Sequence, residues 1–157
     1  MARTALLSSG LSNNRRGRRG NAMIEFALVF TFLFPMFAGV FELGFAFFQY
    51  NRLVSGVRAG ARYASLETYS APGNTPPDTF LAAVKNTVIY GNPAGGTTPI
   101  TPGLTPANVA LSVIFENNIP ARIGVKITNY RLDCLFGLYT LNTPAATFPY
   151  TGRFAPL

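Results

Sequence analysis

Residues 20–48 form an almost continuous apolar run, GNAMIEFALVFTFLFPMFAGVFELGFAFF. Met23 to Phe48 is 26 residues and would form a helix of about 39 Å at 1.5 Å per residue. A bilayer core of about 30 Å needs roughly 20 apolar residues, so this segment can cross a membrane with some tilt. The alternative, a buried core helix, needs more surrounding protein than 157 residues provide for a segment that is apolar on all faces. Pro35 predicts a kink in this helix.

The basic residues before this stretch predict its orientation. Five of the 13 basic residues fall in the first 20 positions, with no acidic residue among them: Arg3, Arg15, Arg16, Arg18 and Arg19. Because Lys and Arg next to a span stay in the cytoplasm, we expect the N-terminus inside and residues 50–157 outside. A nucleic-acid-binding fold would spread its positive charge over a face, so we expect no nucleic-acid partner.

The composition argues against enzymatic chemistry. Histidine is absent, which excludes Ser-His-Asp and Cys-His catalysis and His-ligated metals. Six acidic residues over the whole chain leave little material for a carboxylate metal cage. We therefore expect a protein that is not an enzyme, with no catalytic residue, no metal and no cofactor. Cys134, the one cysteine, is expected either to be a small buried residue or to form an intermolecular disulfide.

The chain divides into four parts. Residues 1–20 form a polar, basic leader, residues 21–67 a membrane-spanning and extended helix, residues 68–77 a linker rich in Pro and Gly, and residues 78–157 a head. The predicted fold class is α+β: a long N-terminal transmembrane helix, kinked near Pro35, followed by a small head with one helix and a short antiparallel sheet. Because so small a head has a marginal core, packing on the long helix or on other subunits would help it.

Helical and strand patterns can be placed within the head. Apolar residues at helical spacing follow Asp78 and Thr79, which are expected to cap the helix, and Gly91 ends it after Tyr90. Alternating residues predict strands over 109–116 and 123–127, the second with an optional extension to Asn129. The two strands are joined by a turn at Asn117-Asn118 and are expected to form an antiparallel pair. Residues 130–138 either extend the second strand or begin another, and residues 148–154 are expected to form a last edge strand.

Two glutamates interrupt the apolar run. Glu25 is either a boundary residue that reaches the lipid head groups or part of a motif. The order of basic residues, Gly20, four residues, Glu25, Phe26 and an apolar run is similar to the cleavage motif of type IV prepilins. That resemblance implies that a prepilin peptidase cuts between Gly20 and Asn21, on the cytoplasmic side. Glu25 is then one helical turn from the new α-amino group of Asn21, and its carboxylate can meet the amine of a neighbouring subunit.

Three motifs from Glu25 onward narrow the resemblance to one family. The chain has EFAL at residues 25–28, ELG at residues 42–44 and VRAGARYA at residues 57–64. With these motifs, residues 15–66 strongly resemble the TadE-like family, the minor pilins or pseudopilins of the tight-adherence (Tad, or Flp) pilus. The longer TadG-like proteins carry a much larger external domain, whereas TadF-like proteins are similar in size and stay an alternative.

The resemblance implies a function and a location. The expected role is assembly of a Tad/Flp type IV pilus for adhesion, in the bacterial inner (cytoplasmic) membrane, with possible incorporation in the pilus. The implied partners are the prepilin peptidase, other Tad pilus subunits, the inner-membrane assembly machinery and the lipid bilayer. The alternative is a single-span membrane protein with an extracytoplasmic binding head, unrelated to pili.

The residues after the span are expected to continue the helix. A narrow apolar stripe recurs at three- and four-residue spacing: Tyr50, Leu53, Val54, Val57, Ala61 and Ala64. Small residues, Gly56 and Gly60 among them, allow close approach of another helix. Candidate subunit contacts are Glu42, Arg58, Arg62 and Tyr63. The two arginines form either a solvated face or contacts with neighbouring subunits or lipid head groups, and Glu42 either reaches outward or pairs with a neighbour's arginine.

Overall fold

The computed structural model describes residues 15–68, 75–117, 119–134, 137–140 and 143–153. Helix α1 runs from Arg15 to Leu66 and α2 from Asp78 to Tyr90. After a short 3-10 turn over Pro106–Asn108, five strands follow: β1 Val109–Glu116, β2 Ile119–Ile127, β3 Arg131–Cys134, β4 Gly137–Thr140 and β5 Ala145–Pro149. The predicted α+β class, with a long apolar helix before a helix and a small antiparallel sheet, is confirmed.

Helix α1 continues through Pro35. Proline has no backbone N–H, so the carbonyl of Thr31 loses the donor that residue 35 would supply in a regular helix. The Thr31 hydroxyl donates a hydrogen bond to the Ala27 carbonyl at 2.7 Å. This polar side chain therefore has a hydrogen-bond partner within the apolar segment. The helix starts at Arg15, six residues before the expected boundary at Asn21. The kink near Pro35 stays a prediction.

The chain forms two compact units, Met1–Phe41 and Glu42–Leu157. In the first unit the structure describes α1 from Arg15 onward. In the second unit, the rest of α1 shares a hydrophobic core with the head. Four α1 side chains belong to that core: Leu53, Val57, Ala61 and Ala64. They belong to the apolar stripe predicted from sequence, and their i, i+4 and i+3 spacing places them on one helical face.

Helix α2 packs its buried face into the same core. Phe80, Val84, Val88 and Ile89 are buried, at the spacing that the sequence predicted. The helix ends at Tyr90, where Gly91 adopts a left-handed conformation (φ 72°) and donates its N–H to Thr87 at 3.0 Å. Its start differs from the expectation, because Pro77 occupies the N-cap position without a side-chain hydrogen bond. Asp78 is instead the first helical residue, where its carboxylate complements the helix dipole.

The main sheet has the order β1-β2-β5, and β3 and β4 form a separate antiparallel pair. β1 has the predicted bounds. β2 begins earlier than predicted, since it pairs from Ile119 with Glu116, and it ends at Ile127. The optional extension to Asn129 is not made, because Asn129 turns into the left-handed region (φ 56°). Asn117 occupies the predicted turn with φ 53°, whereas Asn118 lies outside the described residues.

The last strand also differs from the expectation. β5 starts at Ala145, three residues earlier than predicted, and ends at Pro149. Beyond it the chain turns to the C-terminal end of α1, where Thr151 and Gly152 both donate their N–H groups to Ser65 at 2.9 Å. Residues 154–157 are not described. The side chain of Cys134 is likewise outside the described part of the chain, so both expectations for it stay predictions.

Candidate subunit interface

The N-terminal part of α1 presents an apolar surface. Apart from Ala38, every residue from Gly20 to Phe41 is exposed within the described structure. Phe26, Phe30 and Phe34 follow one another at i, i+4 spacing and stack, with ring centroids 5.8 and 5.4 Å apart. Such a surface is costly in water, and it is long enough to cross a membrane. This one N-terminal apolar helix, in the described part of the chain, indicates a single-pass membrane protein.

The residues of the predicted cleavage motif all lie on this surface. Gly20, Asn21 and Glu25 are exposed, and 66% of Phe26 is exposed. All four belong to α1, so Asn21 and Glu25 lie one turn apart on the same face. The structure therefore places the motif on a helix whose surroundings are open to other molecules.

The glycines of α1 from Gly20 onward fall into two groups. A methyl group added at Gly20, Gly39 or Gly44 would meet no atom within 4 Å. At Gly56 it would lie 2.7 Å from the Val88 carbonyl oxygen, and at Gly60 it would overlap the Val88 side chain. The close approach that the sequence predicted at Gly56 and Gly60 is thus made to α2 of the same chain.

Glu42 lies on the head-facing side of α1. Only 7% of it is exposed, and Gln49, two turns further on, is also buried. The carboxylate therefore does not reach outward into solvent from this unit. Its role as a subunit contact stays a prediction. Sequence reasoning missed this burial, although Glu42 continues the stripe of Leu53 and Val57 at helical spacing, which is the signal that would have found it.

The opposite face of α1 carries the cations. Arg58 and Arg62 are exposed and Tyr63 is half-buried. With Ala59, Leu66 and Phe148 of β5, they line an open groove of about 610 Å³, which we name the arginine groove. Tyr63 lies beyond the apolar segment, and burial, followed by the charge and hydrogen bond of Glu67, raises the pKa of its phenol. The structure therefore brings together three of the four candidate contact residues.

A second groove adjoins the first along the same helix. It has a volume of about 400 Å³ and lies between α1 and the end of α2, with Arg52, Ala59 and Ile100 among its lining residues. The Arg52 guanidinium lies 5.6 Å from the centre of the Phe48 ring, within the range of a cation–π interaction. Ala59 lines both grooves. The outward face of α1 is therefore open on both sides of this alanine.

The comparisons with known proteins bear on this helix. Residues 20–62 match the model of the family described as TadE-like protein. No curated protein and no solved structure matches the chain. The matched segment starts at Gly20 and includes Glu25, Glu42, Arg58 and Arg62, whereas the head lies outside it. This match suggests a protein associated with the Tad pilus, with other Tad components as partners. The matched residues 20–62 lie within residues 15–66, for which the sequence predicted the TadE-like resemblance.

Proposed function

We propose that this protein is a minor pilin or pseudopilin that takes part in assembly of a Tad/Flp pilus for adhesion. A prepilin peptidase cuts it after Gly20, and its further partners are other Tad subunits and the inner-membrane assembly machinery. One observation carries the proposal: within the TadE-like segment, the chain exposes an apolar helix whose carboxylate, Glu25, lies five residues after Gly20. The proposal includes no catalytic residue, cofactor or metal.

The surroundings of Gly20 support a role in processing. Glycine in a helix interior is less favourable than alanine by about 0.5–1 kcal/mol. No neighbouring atom of the described structure requires that glycine, because a Cβ would meet nothing within 4 Å. A peptidase that approaches the backbone closely at Gly20 would explain why this position has no side chain.

The position of Glu25 supports a role in assembly. A carboxylate in the centre of a bilayer costs on the order of 2.5–3.5 kcal/mol, less near the boundary. Cleavage frees the α-amino group of Asn21, with an ordinary pKa near 7.7–8.0. In a bundle of axially shifted helices, the Glu25 carboxylate of one subunit pairs with the Asn21 amine of the next, which lowers that cost and sets the register between subunits.

The proposed location follows the charge distribution. The basic N-terminal residues stay in the cytoplasm, α1 crosses the inner membrane, and the head lies on the extracytoplasmic side. The prepilin peptidase therefore meets the Gly20–Asn21 bond at the cytoplasmic boundary of the membrane, before the subunit is assembled.

The experiment is mass spectrometry of the N-terminus of the protein purified from its native host. The mature chain is expected to begin at Asn21, and Gly20→Leu is expected to leave the precursor uncut. Gly39→Leu is the matched control, because Gly39 is also in α1 with open space around its Cα, and this variant should be cut normally. A native chain that begins at residue 1 or 2 would contradict the proposal and favour a single-span protein with a binding head.

A further inference from the structure

The arginine groove combines two cations with an apolar wall. Arg58 and Arg62 are one helical turn apart on α1, so their charges repel each other weakly. The apolar wall consists of Leu66, which is 59% exposed, and the half-buried Tyr63 and Phe148. Glu67, the residue after Leu66, is hydrogen-bonded to Tyr63. A ligand with one carboxylate next to apolar side chains fits this combination of charge and surface.

The β1–β2 hairpin presents such a surface at its end. Among the described residues beyond Glu67, the large apolar side chains that are most exposed are Ile114, at 49%, and Ile119, at 59%. Glu116 is exposed between them in sequence and pairs with Ile119 across the strands. We name Ile114, Glu116 and Ile119 the hairpin tip. Arg122 lies opposite Ile114, further from the turn than Glu116.

The two surfaces are complementary and belong to one chain. The hairpin tip offers one carboxylate flanked by two isoleucines, and the arginine groove offers two guanidinium groups beside an apolar wall. Residues of the hairpin tip are absent from the lining of the groove, so within one chain the tip leaves the groove open.

We propose that the arginine groove of one head binds the hairpin tip of a second copy of this chain. Glu116 of one copy lies between Arg58 and Arg62 of the other, and Ile114 and Ile119 cover Leu66 and Phe148. The two surfaces differ, so the contact joins unlike surfaces and can link copies in a series or close into a ring. The inference rests on the proposed function in one respect: pilus assembly is the process in which the heads of several copies meet.

The first test is disulfide cross-linking of the full-length chain in detergent, in a Cys134→Ser background. One population carries Leu66→Cys and the other, with a different tag, carries Ile119→Cys. After treatment with diamide, mixed dimers are expected when the two populations are combined, and each population alone should stay monomeric. Dimers from Leu66→Cys alone would indicate a symmetric contact between grooves and overturn the proposal, as would the absence of mixed dimers.

The second test exchanges the charges. Glu116→Arg and Arg58→Glu should each weaken self-association of the full-length chain about fivefold, the upper range for an exposed ion pair. The two substitutions together should restore it. Lys126→Glu, at an exposed cation on β2 outside both surfaces, is the control and should leave association unchanged. Equal weakening by the control, or no restoration in the double variant, contradicts the proposal.

These tests are independent of processing. Both use uncut protein made in a host without a prepilin peptidase, so contact between heads is measured without cleavage at Gly20. Failure to cross-link, together with normal cleavage in the native host, would refute this inference and leave the proposed function standing. Cross-linking without cleavage in the native host would refute the proposed function and leave this inference standing.

Discussion

Gly56 and Gly60 show how single residues decide the packing of α1 on the head. At Gly56 an added methyl group would lie 2.7 Å from the backbone carbonyl of Val88 and would also meet Ile100. A backbone atom held in a helix cannot move aside as the end of a flexible side chain can. The absence of a side chain is therefore required at this position by the chain's own fold.

The first prediction is that Gly56→Ala destabilises the protein. The expected loss is about 1–3 kcal/mol, typical of overpacking, and it outweighs the roughly 0.5–1 kcal/mol that alanine contributes in a helix. Thermal unfolding followed by circular dichroism in detergent measures the effect. Gly44→Ala is the control, since its methyl group meets open space. An unchanged melting temperature for Gly56→Ala would show that α1 and α2 do not pack closely here.

The second prediction concerns the charge of Glu25. Glu25→Ala should still be cut at least in part, because the peptidase recognises Gly20, but it should assemble poorly. Glu25→Gln keeps the size and hydrogen-bonding capacity and removes the charge, so it should also be defective, although less so. The measurement is surface piliation in a strain that carries only the variant, with processing checked by gel mobility. Normal piliation with both variants would make Glu25 a tolerated boundary residue.

At the scale of elements, the end of α1 is stabilised by the chain beyond β5. The last carbonyl groups of a helix lack partners within the helix. Here Ser65 accepts the N–H groups of Thr151 and Gly152, and the Tyr150 hydroxyl donates to the Glu67 carbonyl at 3.0 Å. A segment at the far end of the sequence thus completes the hydrogen bonding of α1.

The third prediction is that this segment stabilises the head. A chain that ends after Pro149 loses these donors and should unfold at lower temperature, since each hydrogen bond contributes about 0.5–1.5 kcal/mol. A chain that ends after Arg153 keeps them and serves as the control. Thermal unfolding and amide exchange in the last turn of α1 are the measurements. Equal stability of the two truncated chains would contradict the role of residues 150–152.

At the scale of the whole molecule, the unit that contains the head begins inside α1. The sequence placed the head at residues 78–157, after a linker, whereas the compact unit is Glu42–Leu157. The reason is that Leu53, Val57, Ala61 and Ala64 supply part of its core. The long helix is therefore both the apolar anchor and a structural element of the head.

The fourth prediction follows from this division. A chain that starts at Glu42 should fold, because it retains the whole core, and should no longer span a membrane, because too little of the apolar run remains. A chain that starts at residue 68 should not fold, because the α1 side of the core is missing and so small a domain has little to spare. Circular dichroism and membrane fractionation distinguish the outcomes. Cooperative unfolding of the shorter chain would show that the head is independent of α1.

Elements with a local signal could be predicted from the amino-acid sequence. The apolar run, the stripe that ends at Ala64, the bounds of β1 and the end of α2 at Gly91 all follow from periodicity or from one residue's backbone preference. The TadE-like resemblance likewise rested on a contiguous segment. Such features do not depend on which distant part of the chain lies nearby.

The residues that each element contacts are known only from the tertiary structure. Phe148 lies in the same groove as Arg58 and Arg62, Glu42 is buried, and Val88 of α2 lies next to Gly56. A helical pattern shows that one face is buried, but it does not show whether the residues packed against that face belong to the same chain or to another. Which residues pack there depends on contacts between residues far apart in sequence. The energies of those contacts cannot be obtained from the local spacing of apolar residues.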